Sequence, residues 1–310
     1  MKPTAPLALI AAISLTALVG CANPSHQTDA EDLRGRLADL PGVSKAELDY
    51  SEPVTLDSGK LALRVTMARD ADADEITEVV TTTYDAFSDT HHGEEGDLDV
   101  EIGDDLLHLR SFEPDAEGDA VEEATSRAVA VLPSGQVRAD INTQDVSKAP
   151  HVFTRYTVSV AKPGRDSVLA KLTALETRYG DLPDAGWRVQ SGGESGWLIS
   201  AEKGFPDAEE LALFDEMSEG LPDGAAILLY GDFGTLQVPP GSAPAEVSAA
   251  VGRHLALLGG ADTAFYDVQS GPDLLMSFTD GDCYFDTGAV GARLERDHGA
   301  GCPQVTHPEG

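Results

Sequence analysis

A chain of 310 residues with 54 acidic and 21 basic side chains carries a formal net charge of −33, and 41% of it is apolar. That apolar content supports the core of one large or two modest domains and excludes wholesale disorder. A surface this acidic repels nucleic acid and anionic lipid headgroups, so DNA and RNA binding is excluded and contact with a membrane is expected only through a dedicated anchor.

The first twenty residues read as processing signal rather than fold. Lys2 and the α-amino group precede an apolar run, Leu7 to Val19, which is too short to span a bilayer as a stable helix. The run ends in Leu18-Val19-Gly20-Cys21, which resembles the lipobox of bacterial lipoprotein precursors. The resemblance implies a diacylglyceryl group on Cys21, cleavage before it, and a location on the extracytoplasmic side of the cell membrane. Residues 1–20 are then the signal and 21–30 a lipidated tether, for which the polar composition of Ala22 to Asp29 is suited.

Beyond the tether, the spacing of Leu33, Leu37 and Leu40 predicts a short helix over 32–40, stopped by Pro41-Gly42. Strands follow at 43–50 and 61–67, a helix at 74–87 with Ile76, Val79, Val80 and Phe87 aligned, and strands at 98–102 and 107–112. A helix at 122–132 and a strand at 137–141 close a first unit, 31–148. A second, 149–290, reads as a strand at 156–160, a helix at 166–179, a hairpin of 187–189 with 197–199, a helix at 209–217 and an apolar strand at 226–230. Asp-Phe-Gly within Gly231 to Gly234 is read as a turn, because no kinase context surrounds it.

Strand, helix, strand, strand, helix, strand fits a split βαβ, or ferredoxin-like, module. The expected class is therefore α+β, with duplicated modules and helices on one face of antiparallel sheets. An internal echo supports repetition: Val189-Gln190-Ser191-Gly192 recurs as Val268-Gln269-Ser270-Gly271, 79 residues on, each time after a helical segment. Such α-β-β units can join into one extended sheet or form separate domains.

Three cysteines are present. With Cys21 taken by lipid, Cys283 and Cys302 form an even pair in an oxidising compartment and are expected to bond, pinning the tail at 291–310.

The chemistry-bearing clusters are few. Asp70, Asp72 and Asp74 alternate as in an EF-hand, but Glu75 stands where that loop needs glycine, so they read as the start of a helix. His91-His92, near Asp89, Glu94 and Glu95, is the adjacent imidazole pair and the candidate metal site, although its segment has the composition of an exposed loop. Asp280-Gly281-Asp282 is a turn. Trp187, Trp197, Phe265 and Tyr266 either build a ligand platform on the sheet face away from the helices or fill the core beneath them. No phosphate loop, nucleophile elbow or cofactor motif is present in the sequence, and no cofactor is expected.

Beyond the signal, the excess of Ala, Gly, Asp and Arg over Lys is similar to that of acidic lipoproteins of high-GC Gram-positive bacteria. The functional expectation is a non-catalytic envelope lipoprotein that binds a protein or envelope component. A binder of a metal ion, lipid or sugar is the alternative, and a hydrolase of envelope polymers the third.

Overall fold

Alternating apolar residues and three-to-four spacings resolve into seven helices and thirteen strands in the computed structural model, which describes residues 25–54, 57–112, 116–132, 136–143, 152–182, 185–192, 196–259, 265–279, 281–300 and 302–303. The chain opens with α1 (Gln27–Ala38), β1 (Val43–Ser51) and β2 (Lys60–Met67), then α2 (Ala73–Ser88), β3 (Glu95–Ile102) and β4 (Asp105–Phe112). It continues with α3 (Gly118–Val131), β5 (Val137–Asn142) and β6 (Phe153–Val160), then α4 (Arg165–Tyr179), β7 (Ala185–Ser191) and β8 (Leu198–Ala201). The last units are α5 (Ala208–Met217), β9 (Ala226–Tyr230) and β10 (Phe233–Gln237), then α6 (Pro244–Leu257), β11 (Phe265–Ser270) and β12 (Asp273–Thr279), closed by β13 (Asp282–Phe285) and α7 (Ala289–His298).

All thirteen strands share one sheet, and their spatial order is their order in the chain. Within each unit the two strands form an antiparallel hairpin, such as β3 with β4 and β11 with β12. Between units the helix carries the chain to a parallel neighbour, as from β2 to β3 and from β6 to β7. Because β-α-β crossovers share one hand, a chain that always advances in the same direction lays its helices on the same face. Contacts between successive helices bear this out. The Tyr179 hydroxyl donates to the Ala130 carbonyl, Arg165 pairs with Asp215, and Ser248 donates to Asp297, linking α3 to α4, α4 to α5 and α6 to α7.

Period-two burial follows. In β2, Leu61, Leu63, Val65 and Met67 lie buried beneath the helices, while Ala62, Arg64 and Thr66 turn to the helix-free face. One core cluster runs from Leu33 on α1 to Leu294 on α7.

The class is mixed α and β, with helices packed against a many-stranded sheet, and one detail departs from expectation. A ferredoxin-like unit inserts a strand between the two parallel strands that a helix connects; here those strands pair directly, so the sheet is mixed and sequential rather than antiparallel and interleaved. The α-β-β unit accordingly occurs six times before β13 and α7. Pairing also continues from β5 to β6, Val137 with Val158 through Asn142 with Phe153, across the place where the sequence suggests a boundary. The units thus join into one extended sheet.

The echoed Val-Gln-Ser-Gly marks the same point in two units, the exit from the first strand of a hairpin. Gly192 and Gly271 have φ of +76° and +61°, a left-handed conformation costly for any residue with a Cβ. At the N-terminus, α1 takes up Gln27 to Ala30, which composition assigns to the tether. Only Ala30 of that turn faces the core, so the helix leaves little apolar signal. At the other end Cys283 and Cys302 are disulfide-bonded, with Cα atoms 5.9 Å apart, and the segment read as tail contains most of α7, whose Leu294 is buried.

Candidate functional site

Cys21 lies outside the described residues, but the point where the chain enters the fold does not. Ser25 Oγ donates to Glu52, and the His26 amide donates to the Tyr50 hydroxyl at 2.9 Å. That hydroxyl donates in turn to Glu94 Oε1 at 2.7 Å, and Glu94 Oε2 lies 2.7 Å from His91 Nδ1. Burial and the neighbouring Glu94 carboxylate raise the Tyr50 pKa. His91 and Glu94 are only 2% and 5% exposed, so this part of the 88–97 segment is not the exposed loop that its composition suggests. His91 is turned inward and His92 outward. Among the described residues, no group of three or more His, Cys, Asp or Glu side chains is placed to hold a metal ion.

The four candidate aromatics separate. Trp187 is 1% exposed and stacks on Phe205 at 4.5 Å and on Tyr179 at 5.8 Å, beneath the helices. Tyr266 is fully buried and contacts His254. Trp197 is half-buried and meets Phe214 edge-on at 6.0 Å. Phe265 alone is exposed, at 38%.

Phe265 belongs to a row that was not legible in the sequence, because it is assembled by strand register. On the helix-free face Arg188 of β7 pairs with Ser200, Ser200 with Tyr230, Tyr230 with Phe233 and Phe233 with Phe265, so one line crosses five strands. The Arg188 guanidinium lies 4.9 Å from the centre of the Tyr230 ring, and the Tyr230 and Phe233 rings are 6.3 Å apart. Leu198 and Leu228 face each other beside this row, buried but outside the core cluster beneath the helices. Alternation within the strands was the available signal, since Trp187-Arg188-Val189 puts Trp187 and Arg188 on opposite faces.

The same face is different at its other end. Glu95, Asp97, Asp99 and Glu101 alternate along β3, flanked by Lys60 and Arg64 on β2 and by His108 and Arg110 on β4. Lys60 meets Asp97 at 2.8 Å, Arg64 meets Glu101 at 3.5 Å, Arg110 meets Glu95 at 2.8 Å, and His108 Nδ1 meets Asp99 at 2.8 Å. Pairing with Asp97 raises the Lys60 pKa, and pairing with Glu95 raises that of Arg110. Lys60, Arg64, Asp97, Asp99 and His108, with Glu47 and Asp49 of β1, border a solvent-open hollow of about 390 Å³. Each charged group named on β2, β3 and β4 has an opposite neighbour, so the network matches strand to strand. Lys45 and Arg138 are likewise paired, with Glu47 and Asp140.

One other cluster resembles catalytic chemistry. Ser248 Oγ lies 3.2 Å from His298 Nε2 and 2.6 Å from Asp297 Oδ2. The serine proton goes to the carboxylate, while His298 Nε2 is held by the Ser248 carbonyl at 3.0 Å. A nucleophilic triad needs the carboxylate behind the imidazole; here it competes with the imidazole for the serine, and the cluster locks α6 to α7.

No helix among the described residues is long and apolar enough to cross a membrane. No protein-family model, curated protein or solved structure matches the chain.

Proposed function

We propose that this chain is a non-catalytic lipoprotein of the bacterial envelope, held by a lipid on Cys21, whose helix-free sheet face binds another protein. Six α-β-β units, read as repeats of one module, together with β13 give that face twelve inter-strand steps and a width of about 58 Å at ordinary strand spacing. A broad face suits a macromolecule better than a small ligand does.

The observation that carries the reading is the change in character along the face. From β1 to β5 it is covered with paired charges. From β6 to β11 its outward charged side chains are Arg155, Arg188 and Asp267, set among Phe153, Tyr230, Phe233 and Phe265. Burial raises the Asp267 pKa above the ordinary carboxylate value. Aromatic and arginine side chains enriched where acids and lysines are depleted is the composition of a protein-binding core, and it stands out in a chain with 54 acids.

Photo-crosslinking in native envelopes tests this. A photoreactive phenylalanine analogue at Phe265 is expected to give a discrete protein adduct, and the same analogue at Thr173 on the exposed side of α4 is not. Equal adducts from both positions would overturn the reading. So would none from Phe265 together with saturable calorimetric binding of a metal ion, lipid or sugar.

A further inference from the structure

We infer that the partner segment seated on this face presents carboxylates to Arg155 and Arg188. The inference rests on the protein-binding reading above and adds the chemistry of the partner.

Arg155 and Arg188 sit on neighbouring parallel strands. Arg155 is in register with Gly186 and Thr157 with Arg188, so the two arginines are offset by two residues on one face, with Cα atoms roughly 8 Å apart. Carboxylates outnumber cations 54 to 21 in this chain, and the other lysines and arginines described above on the face each have one. These two do not, among the described residues. Arg155 instead lies 5.9 Å from the centre of the Phe153 ring and Arg188 4.9 Å from that of Tyr230. The Nε of each is buried without a hydrogen-bond partner.

Asp140 stands opposite Arg155 across β5 and β6, but it pairs with Arg138. The groups set against Arg155 and Arg188 are aromatic rings instead. A ring beneath a guanidinium holds its plane by cation–π attraction while leaving in-plane N–H donors for a ligand, which is how arginine is prepared for a planar carboxylate. Gly186 fits this arrangement: a Cβ there would stand 2.5 Å from the Glu202 carbonyl oxygen and 3.0 Å from both the Ala201 carbonyl oxygen and the Phe153 ring, so the missing side chain leaves room for the adjoining backbone and for the ring beneath Arg155. The net charge of −33 draws basic groups toward the molecule at long range. At contact distance on this face the selection is reversed, because a basic segment would bury two like charges. The docked segment therefore carries one or two Asp or Glu side chains, with apolar neighbours to lie along Tyr230, Phe233 and Phe265.

The test is to pan a phage-displayed random dodecapeptide library on the full mature chain, immobilised through its N-terminus. Enriched peptides are expected to combine Asp or Glu with Phe, Tyr or Leu. A synthetic peptide of the enriched sequence should lose at least about tenfold in affinity to Arg155→Gln and to Arg188→Gln, with Arg34→Gln on α1 nearly neutral. Matching circular dichroism and urea midpoints would show that the variants fold. Enriched peptides without acids that lose affinity on Phe265→Ser would overturn the carboxylate inference and leave the binding face standing. Peptides indifferent to every substitution on the face would overturn both. Failure to enrich peptides, with a polyuronate binding in an Arg188-dependent way, would replace the protein segment by an anionic glycan and overturn the proposal.

Discussion

Nδ1 of His254 stands 2.6 Å from the Tyr266 hydroxyl, and its Nε2 stands 2.8 Å from the Met217 carbonyl oxygen. A carbonyl only accepts, so Nε2 carries the ring proton, and the neutral imidazole accepts the Tyr266 proton at Nδ1. The contact joins α6, β11 and the end of α5 inside the core, and burial lowers the His254 pKa to about 4.

This relationship makes stability depend on pH. An unfolded histidine titrates near about 6.5, so between that pH and about 4 the unfolded chain binds more protons at this site. The contribution is complete above the unfolded value and is lost as pH falls through the folded one. Urea unfolding at pH 7.5 and 4.5 should therefore show a wild-type loss that exceeds the loss in His254→Gln by about 2 to 3 kcal/mol. Equal losses would show that His254 is not held neutral by the fold.

The two extremes among the aromatics should behave oppositely. Trp187→Ala removes a ring packed among Tyr156, Tyr179 and Phe205 and is expected to cost about 3 to 5 kcal/mol in denaturant unfolding. Phe265→Ala, at an exposed position, should change stability by less than about 0.5 kcal/mol and weaken binding instead. A stable Trp187→Ala protein would contradict the assignment of that ring to the core.

Local elements were legible where burial repeats at short range. Val168, Leu172, Leu175 and Tyr179 mark one side of α4, and its ends fall within a residue of the spacing. The Asp72 and Glu75 pair that replaces an EF-hand loop is a reciprocal helix cap, with Asp72 accepting from the Asp74 and Glu75 amides. Elements lacking an apolar period were not legible: β10 reads Phe-Gly-Thr-Leu-Gln, and α7 has one deeply buried leucine in a polar run. Strand order was not legible either, because neighbours are chosen by long-range packing. The Arg188 to Phe265 row depends on that order, since its members come from five strands spread over 78 residues.

Closure of the C-terminal end yields the third expectation. The disulfide joins β13 to the chain beyond α7, where the Cys283 amide also donates to the Pro303 carbonyl at 3.0 Å. Loss of the bridge in Cys283→Ser/Cys302→Ser is expected to cost roughly 3 kcal/mol, from the loop it closes. Urea titrations of the double variant against the oxidised parent measure this, and identical midpoints would mean that the bridge contributes nothing.

The last expectation concerns the anchor. Cys21 is four residues before Ser25, and Ser25 and His26 are already tied to Glu52 and Tyr50 at the end of β1. Four extended residues reach about 14 Å, so a lipid on Cys21 would hold the β1 edge of the sheet close to the membrane and leave the later strands to project outward. The arginine and aromatic row begins at the seventh of thirteen strands, on the part free to meet a partner. Intact-mass measurement of protein extracted from membranes of the producing cells should show a diacylglyceryl adduct on a chain that starts at Cys21. Cys21→Ser should lack the adduct and leave the membrane fraction while its urea midpoint stays unchanged, because the lipid sets location and not fold. Mature wild-type protein recovered without lipid would remove the anchor, and with it the orientation, while the binding face would remain to be judged by the crosslinks from Phe265.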